Sequence, residues 1–215
     1  VNLVIAVDGP TASGKGTIAR GLAAHYGLSH LDTGLLYRAV GRQVALTGGD
    51  PDDPLDAERA TAFPAILLDD PFLRDEAVGA LASRVSVHKG VRAALLQRQR
   101  DFARQPGGAV LDGRDIGTVV APDATVKLFV TASVEARAAR RHAEMLRRGQ
   151  DIPLETIRAD LAARDARDRG RAEAPLVEAV DAILLDNSDL DARQSLAEAI
   201  RLVDAALARH GVRPD

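Results

Sequence analysis

The sequence predicts an α/β fold in which five short parallel strands form a sheet flanked by helices. Three observations carry that expectation. Short apolar runs alternate with longer stretches of helical character. A glycine-rich loop lies between the first such run and the first helix. The chain of 215 residues is 46% hydrophobic and 27% charged, a globular composition with enough length for a sizeable core.

Leu3-Val4-Ile5-Ala6-Val7, closed by Asp8-Gly9-Pro10, has the pattern of a strand buried on both faces. Thr17 to His25 follows as a helix that stops at Gly27. His30-Leu31 is the next short strand, and Leu35 to Leu46 the next helix, ended by Gly48-Gly49. Asp50 to Pro54 is rich in turn residues, and weak helical segments without clean periodicity run on to Val91. Arg92 to Arg104 reads as a strong helix stopped by Pro106-Gly107-Gly108. Ala109-Val110-Leu111 is a strand leading into Asp112-Gly113-Arg114-Asp115. Val126 to Val130 is a strand, Val134 to Arg148 a helix ended by Gly149, and Leu154 to Arg169 a helix broken at Gly170. Ala182 to Leu185 is the last strand and Leu190 to Arg209 the last helix.

Composition excludes several classes. With no Cys there is no disulfide, no thiolate metal site and no Cys nucleophile. No apolar run approaches the ~20 residues of a bilayer-spanning helix. The opening residues Val1 to Asp8 carry no basic leader, so the expectation is a cytoplasmic protein without a signal peptide. The net charge of −3 conceals an asymmetry. Lys stands only at positions 15, 89 and 127, leaving 25 of the 28 basic residues as Arg. Between Arg137 and Arg171 ten Arg face six acidic residues, while the remainder of the chain is acidic. Such a stretch is either a solvated helix face or the recognition surface of an anionic partner.

Gly9-Pro10-Thr11-Ala12-Ser13-Gly14-Lys15-Gly16-Thr17 sits where a phosphate-binding loop must sit, between strand and helix. Its backbone N–H groups and the helix N-terminus attract anionic oxygens, and Lys15 can bridge the β- and γ-phosphates of a nucleoside triphosphate. After Gly14-Lys15 stands Gly16 rather than Ser or Thr, so a hydroxyl facing Mg²⁺ has to come from Ser13 or Thr17.

The Gly-Lys-Gly-Thr form of the loop resembles that of nucleoside monophosphate kinases rather than GTPases. Three further runs make the chain similar to bacterial cytidylate kinases: Leu31-Asp32-Thr33-Gly34-Leu35-Leu36-Tyr37-Arg38, Asp112 to Val120, and Arg164 to Arg171 followed by Ala174-Pro175-Leu176. The resemblance covers nearly the whole chain, with the four motifs in the family's order. It implies the P-loop nucleoside monophosphate kinase fold as a single domain over 1–215. The core would comprise 1–50, 91–136 and 170–215, with an acceptor-binding insertion over about 51–90 and a helical lid over about 137–169. It further implies ATP-dependent phosphorylation of CMP and dCMP to the diphosphates with Mg²⁺. Nothing in the sequence resembles an obligate interface stripe, so the expectation is a monomer with neither nucleic-acid nor membrane partners.

On the donor side the resemblance implies binding by Gly9, Pro10, Thr11, Ala12, Ser13, Gly14, Lys15, Gly16 and Thr17. Lys15 and the lid arginines Arg140 and Arg141 would stabilise the transferring phosphoryl group. Arg38, Arg114 and Arg171 would surround the acceptor phosphate, as suits planar forks that engage phosphate oxygens bidentately. Asp115, Arg92 and Ser83 would read the base, since cytosine offers an exocyclic amine to a carboxylate where uracil presents a carbonyl. Arg164 and Asp168 would lie at the sugar and phosphate, with Thr33 also on the acceptor side. Arg164, Asp168 and Arg171 share one helical face if the helix persists through Gly170. Asp186-Asn187-Ser188 would flank the donor adenine by fold analogy.

Two departures from the family stand out. Leu35-Leu36 replace smaller or Met-containing pairs, and the middle segment is shorter than in many relatives, with Ala65 to Pro71 running almost directly into Leu73 to Glu76. The alternatives are a related kinase with another acceptor, such as UMP, AMP or shikimate, and a nucleic-acid-binding protein using the Arg-rich stretch. Aromatic content of 3% with no Trp leaves the last with few stacking platforms.

Overall fold

The computed structural model describes residues 2–209 and 211. The elements run β1 (Val4–Asp8), α1 (Lys15–Tyr26), β2 (Ser29–Asp32), α2 (Thr33–Leu46), α3 (Pro54–Arg59), α4 (Glu76–Val85), α5 (Lys89–Ala103), β3 (Ala109–Gly113), β4 (Val126–Thr131), α6 (Val134–Arg147), α7 (Leu154–Arg169), β5 (Ile183–Asp186) and α8 (Ala192–Arg209). Each strand and long helix lies where the apolar runs and glycine stops place it. The segment after Asp50 holds short pieces: α3, three 3₁₀ turns at Ala60–Ala62, Ala65–Asp69 and Pro71–Arg74, and α4. No strand occurs in it among the described residues.

The sheet has the order β2-β3-β1-β4-β5. The pairs β1–β3, β1–β4 and β4–β5 are parallel, with Asp8 beside Gly113 and Phe129, and Thr131 beside Asp186. Carboxyl ends of neighbouring strands therefore fall at one edge, where ligands collect in open α/β sheets. Central β1 and β3 are buried along their length apart from Val4, which explains their unbroken apolar sequence. One core gathers Ile5, Val7, Ile18, Leu22, Val110, Leu128, Val130, Val203 and Leu207 from sheet, α1 and α8.

The chain divides into two compact units, one holding the chain up to Leu31 and from Ala103 onward, the other Asp32–Phe102. The expected insertion over 51–90 falls inside the second unit. That unit has its own apolar core, including Leu36, Val40, Val44, Leu73, Val85 and Val91. Local chemistry sets its short helices. The Asp53 carboxylate accepts the N–H groups of Leu55 and Asp56 to start α3, with Pro54 at the first helical position. Asp70 accepts the N–H of Phe72 in the same way.

α7 ends at Arg169, and Gly170 caps it. The Gly170 N–H closes the last turn on the Ala166 carbonyl, and Arg171 therefore lies beyond the helix rather than on its face. No helix among the described residues is long and apolar enough to cross a membrane.

α2 and α4 pack closely at Gly41, where an added Cβ would lie 2.8 Å from Leu81 Cβ and 2.9 Å from the Ala82 nitrogen. Backbone atoms cannot rotate away, so Gly41→Ala is expected to destabilise the protein by about 1–3 kcal/mol through overpacking. Urea unfolding measures this, and an unchanged midpoint would contradict the close packing.

Candidate active site

The loop between β1 and α1 takes a path that ordinary residues resist. At Gly9, φ is 157° and an added Cβ would meet the Val130 carbonyl oxygen at 2.0 Å. Gly14, the N-cap of α1, is left-handed with φ 86°. Ala12 adopts φ 60°, uncommon for a residue with a Cβ. Lys15 Nζ donates to the Pro10 carbonyl at 3.4 Å, and the Thr17 and Ile18 N–H groups close the first turn on the Gly14 carbonyl. Ser13 is fully buried, and its hydroxyl makes no hydrogen bond within the protein. A buried hydroxyl in a phosphate-binding loop without a protein partner fits a ligand oxygen or hydrated cation.

Asp8, the last residue of β1, braces the neighbouring turn. Its two carboxylate oxygens accept the N–H groups of Ile116 and Gly117, each at 2.8 Å. Ile116–Val120 forms a single π-helical turn, a rare conformation enriched at functional sites. Burial pushes the Asp8 carboxyl from 3.8 up to about 6, a rise the two backbone donors and Lys15 only partly oppose. Asp115, just before the turn, is buried. On β3, Asp112 pairs with His30 Nε2 at 2.7 Å.

Beyond β3, Arg114 joins three segments. Its Nη2 donates to Thr11 Oγ1 at 2.6 Å, its Nε to Asp168 Oδ2 at 2.8 Å and its Nη1 to the Gly113 carbonyl at 3.3 Å. Arg171 Nη2 bonds the other oxygen of Asp168. Burial opposes ionisation of Asp168, but the charges of Arg114 and Arg171, the Arg114 hydrogen bond and the Arg164 charge together hold it below the usual carboxylate range. Two forks thus grip one ionised carboxylate close to the loop.

On α6, Arg137 is buried and grips Asp165 of α7 with both terminal nitrogens, at 3.0 and 2.6 Å. Arg140 donates to Asn187 Oδ1 at 3.0 Å and to carbonyls of the β5–α8 loop. Arg141 donates to Glu144, which also pairs with Arg148.

In the Asp32–Phe102 unit, Thr33 opens α2 and is buried. Arg38 Nη1 donates to the Leu73 and Asp75 carbonyls at 2.7 and 2.9 Å. Its guanidinium lies against Gly79, where a Cβ would come within 2.8 Å of Nη2. Ser83, one turn further along α4, is buried with a hydroxyl that makes no hydrogen bond within the protein. The Arg92 guanidinium lies over the Tyr37 ring at 5.5 Å and donates to the Ser86 carbonyl.

The residues expected at the site thus fall into two groups: Thr33, Arg38, Ser83 and Arg92 in one unit, and the loop, Arg114, Asp115, Arg140, Arg141, Arg164, Asp168 and Arg171 in the other. Asp8, His30, Asp112 and the Arg137–Asp165 pair are additions. Asp8 carries a legible signal, an acid ending an apolar strand directly before the loop. The others depend on pairing between segments far apart in sequence.

A parallel α/β sheet whose first strand delivers a glycine-rich loop, bordered by buried arginine–carboxylate groups, defines a P-loop kinase fold. Comparison with known proteins narrows the class. A family model described as cytidylate kinase matches residues 5–61 and 67–205. A cytidylate kinase of Xanthobacter autotrophicus is 58% identical over 94% of this chain and 98% of its own length. One from Acidiphilium cryptum is 56% identical over 96% and 98%. Among solved structures, an unliganded sugar kinase from a Janibacter species matches with a TM-score of 0.52 at 16% identity, covering 97% of this chain and 98% of its own, a likeness of fold alone. The chain belongs to the cytidylate kinase family.

The Asp8 environment has a measurable consequence. Its native pKa lies above its ordinary value, so the native state binds a proton that the unfolded chain releases, and its contribution to stability falls as pH rises from 3.8 through about 6. Asp8→Asn removes that dependence. Thermal melts are expected to favour wild type over the variant more at about pH 5 than at about pH 7.5. An equal gap at both values would contradict a titrating buried carboxyl.

Proposed function

We propose that the protein transfers the γ-phosphoryl group of ATP to CMP, and to dCMP, yielding ADP and the corresponding diphosphate. One observation carries the reading: the phosphate loop is bonded through Thr11 to Arg114, and through it to Asp168 and Arg171, in a chain whose full-length relatives are named cytidylate kinases.

On the donor side, residues 9–17 hold the ATP phosphates, with Lys15 and the arginines Arg140 and Arg141 serving the transferring group. To the acceptor we assign Arg38, Arg114 and Arg171 at its phosphate, Arg164 and Asp168 at sugar and phosphate, Asp115, Arg92 and Ser83 at the base, and Thr33 beside them. An oxygen of the acceptor phosphate attacks the γ-phosphorus in line, and the bond from that phosphorus to the oxygen bridging it to ADP breaks. The attacking oxygen is already anionic, so no general base is required and catalysis rests on positioning and charge stabilisation. Asp168, ionised between Arg114 and Arg171, keeps both forks oriented before the acceptor arrives. Ser13 Oγ and Thr17 Oγ1 are the hydroxyls that would hold Mg²⁺, which neutralises phosphate charge when bound. Asp115, buried beside Arg114, supports reading of the cytosine amine, and the partnerless buried hydroxyl of Ser83 supports a further contact to the base.

A coupled assay of ADP release against a panel of nucleoside monophosphates, with ATP and Mg²⁺, tests the substrate. Turnover with CMP and dCMP is expected to exceed that with UMP and AMP. A flat profile, or none with CMP, would overturn it. In the same assay Asp115→Ala is expected to lower kcat/KM for CMP by about 10²-fold while the KM for ATP changes little, because a mismatched polar pocket rejects its base. Equal losses on both sides would remove Asp115 from base recognition.

A further inference from the structure

Two hydrogen bonds from neighbouring elements hold the phosphate loop by its carbonyl groups, and one apolar contact adds to them. Arg137 donates from Nη1 to the Thr11 carbonyl at 3.2 Å, while its Nε holds the Ala132 carbonyl at 3.0 Å and its fork is locked on Asp165. Asn187, 1% exposed, donates from Nδ2 to the Ser13 carbonyl at 2.8 Å. The far end of the same amide is fixed, since Oδ1 accepts from Arg140 Nη1 and the Asn187 backbone N–H reaches the Thr131 carbonyl at 2.9 Å. Ala12 packs against the apolar cluster of Ala138, Met145, Ile157 and Leu161 that α6 and α7 form between them.

A peptide group is planar, and every described peptide of this chain is trans, so the C=O of one residue and the N–H of the next point opposite ways. Holding the Thr11 and Ser13 carbonyls toward α6 and Asn187 therefore aims the N–H groups of Ala12 and Gly14 away from them. Successive N–H groups around left-handed residues form an anion-binding concavity, and here Ala12 and Gly14 are the left-handed residues.

We propose that Arg137 and the Arg140–Asn187 pair are positioning residues for the phosphoryl donor. They grip the loop behind the Ala12 and Gly14 N–H groups and set the direction in which those groups meet the phosphates. The proposal rests on the loop being the donor site. It gives Arg140 an action on the loop through Asn187 in addition to its assignment toward the transferring group.

Asn187→Asp tests it. The substitution preserves an acceptor for Arg140 and turns a carboxylate oxygen toward the Ser13 carbonyl oxygen, where two acceptors repel. Calorimetric titration with ATP alone is expected to show binding weakened about tenfold or more, with the KM for CMP within about twofold of wild type. Asn187→Ser, too short to span both partners, is the second variant and should show the same donor-selective loss. A merely structural role would lower the melting temperature without splitting donor from acceptor. Unchanged ATP affinity in a folded variant overturns the proposal, and so does an equal loss for ATP and CMP. Absence of ATP binding by the wild-type protein would overturn the donor reading itself, and this proposal with it.

Discussion

The fold turns on a steric constraint at one residue. Where the chain leaves β1 it runs so near β4 that Gly9 has no space for a side chain, with the Val130 carbonyl oxygen 2.0 Å from any added Cβ. That approach puts the loop at the sheet edge where the carboxyl ends of β3, β4 and β5 also arrive. Asp8, one residue earlier, is thereby buried next to the π turn at Ile116–Val120 and can serve as its acceptor. Asn187, following β5, comes within reach of the Ser13 carbonyl. The neighbouring elements then hold a loop whose own backbone preferences would not hold it, since Ala12 at φ 60° is stable only under external restraint.

Charge is distributed to the same end. The Arg-rich stretch that gives the sequence its local basic excess is not a uniform cationic surface. Arg137 is locked on Asp165, and Arg171 shares Asp168 with Arg114. A buried pair of this kind gives little net stability compared with apolar residues, yet removing one partner typically costs about 3–5 kcal/mol because the other charge is stranded. Such pairs hold guanidinium groups in fixed directions, and fixed cationic forks meet a phosphate at low reorganisation cost.

Much of the architecture was legible in the sequence because it is encoded locally. The apolar runs of β1, β3 and β4 are legible as strands because these are buried over most of their length and have no polar alternation to hide them, whereas β2, Ser29–Asp32, offers only His30-Leu31. Gly27 ends α1 through a left-handed backbone, φ 65°, that a reader can anticipate for glycine. The phosphate loop is legible for the same reason: its glycines and lysine are contiguous. The π turn is not, because its cause is a carboxylate 108 residues earlier in the chain. Nor is the burial of Arg137, which lies on a helix whose charge pattern suits solvent equally well and whose partner is 28 residues away. Arg140 shows the limit most clearly. Its helix and its charge were readable, but the direction of its side chain depends on a loop 47 residues downstream.

The central claim is that the loop between β1 and α1 binds and activates a phosphoryl donor. Lys15→Ala tests it most directly, because Lys15 is the loop's only cationic side chain, its Nζ held at the Pro10 carbonyl. Steady-state turnover with ATP and CMP is expected to fall by about 10²-fold or more while the melting temperature stays close to wild type. Near-normal turnover in the folded variant would contradict the account.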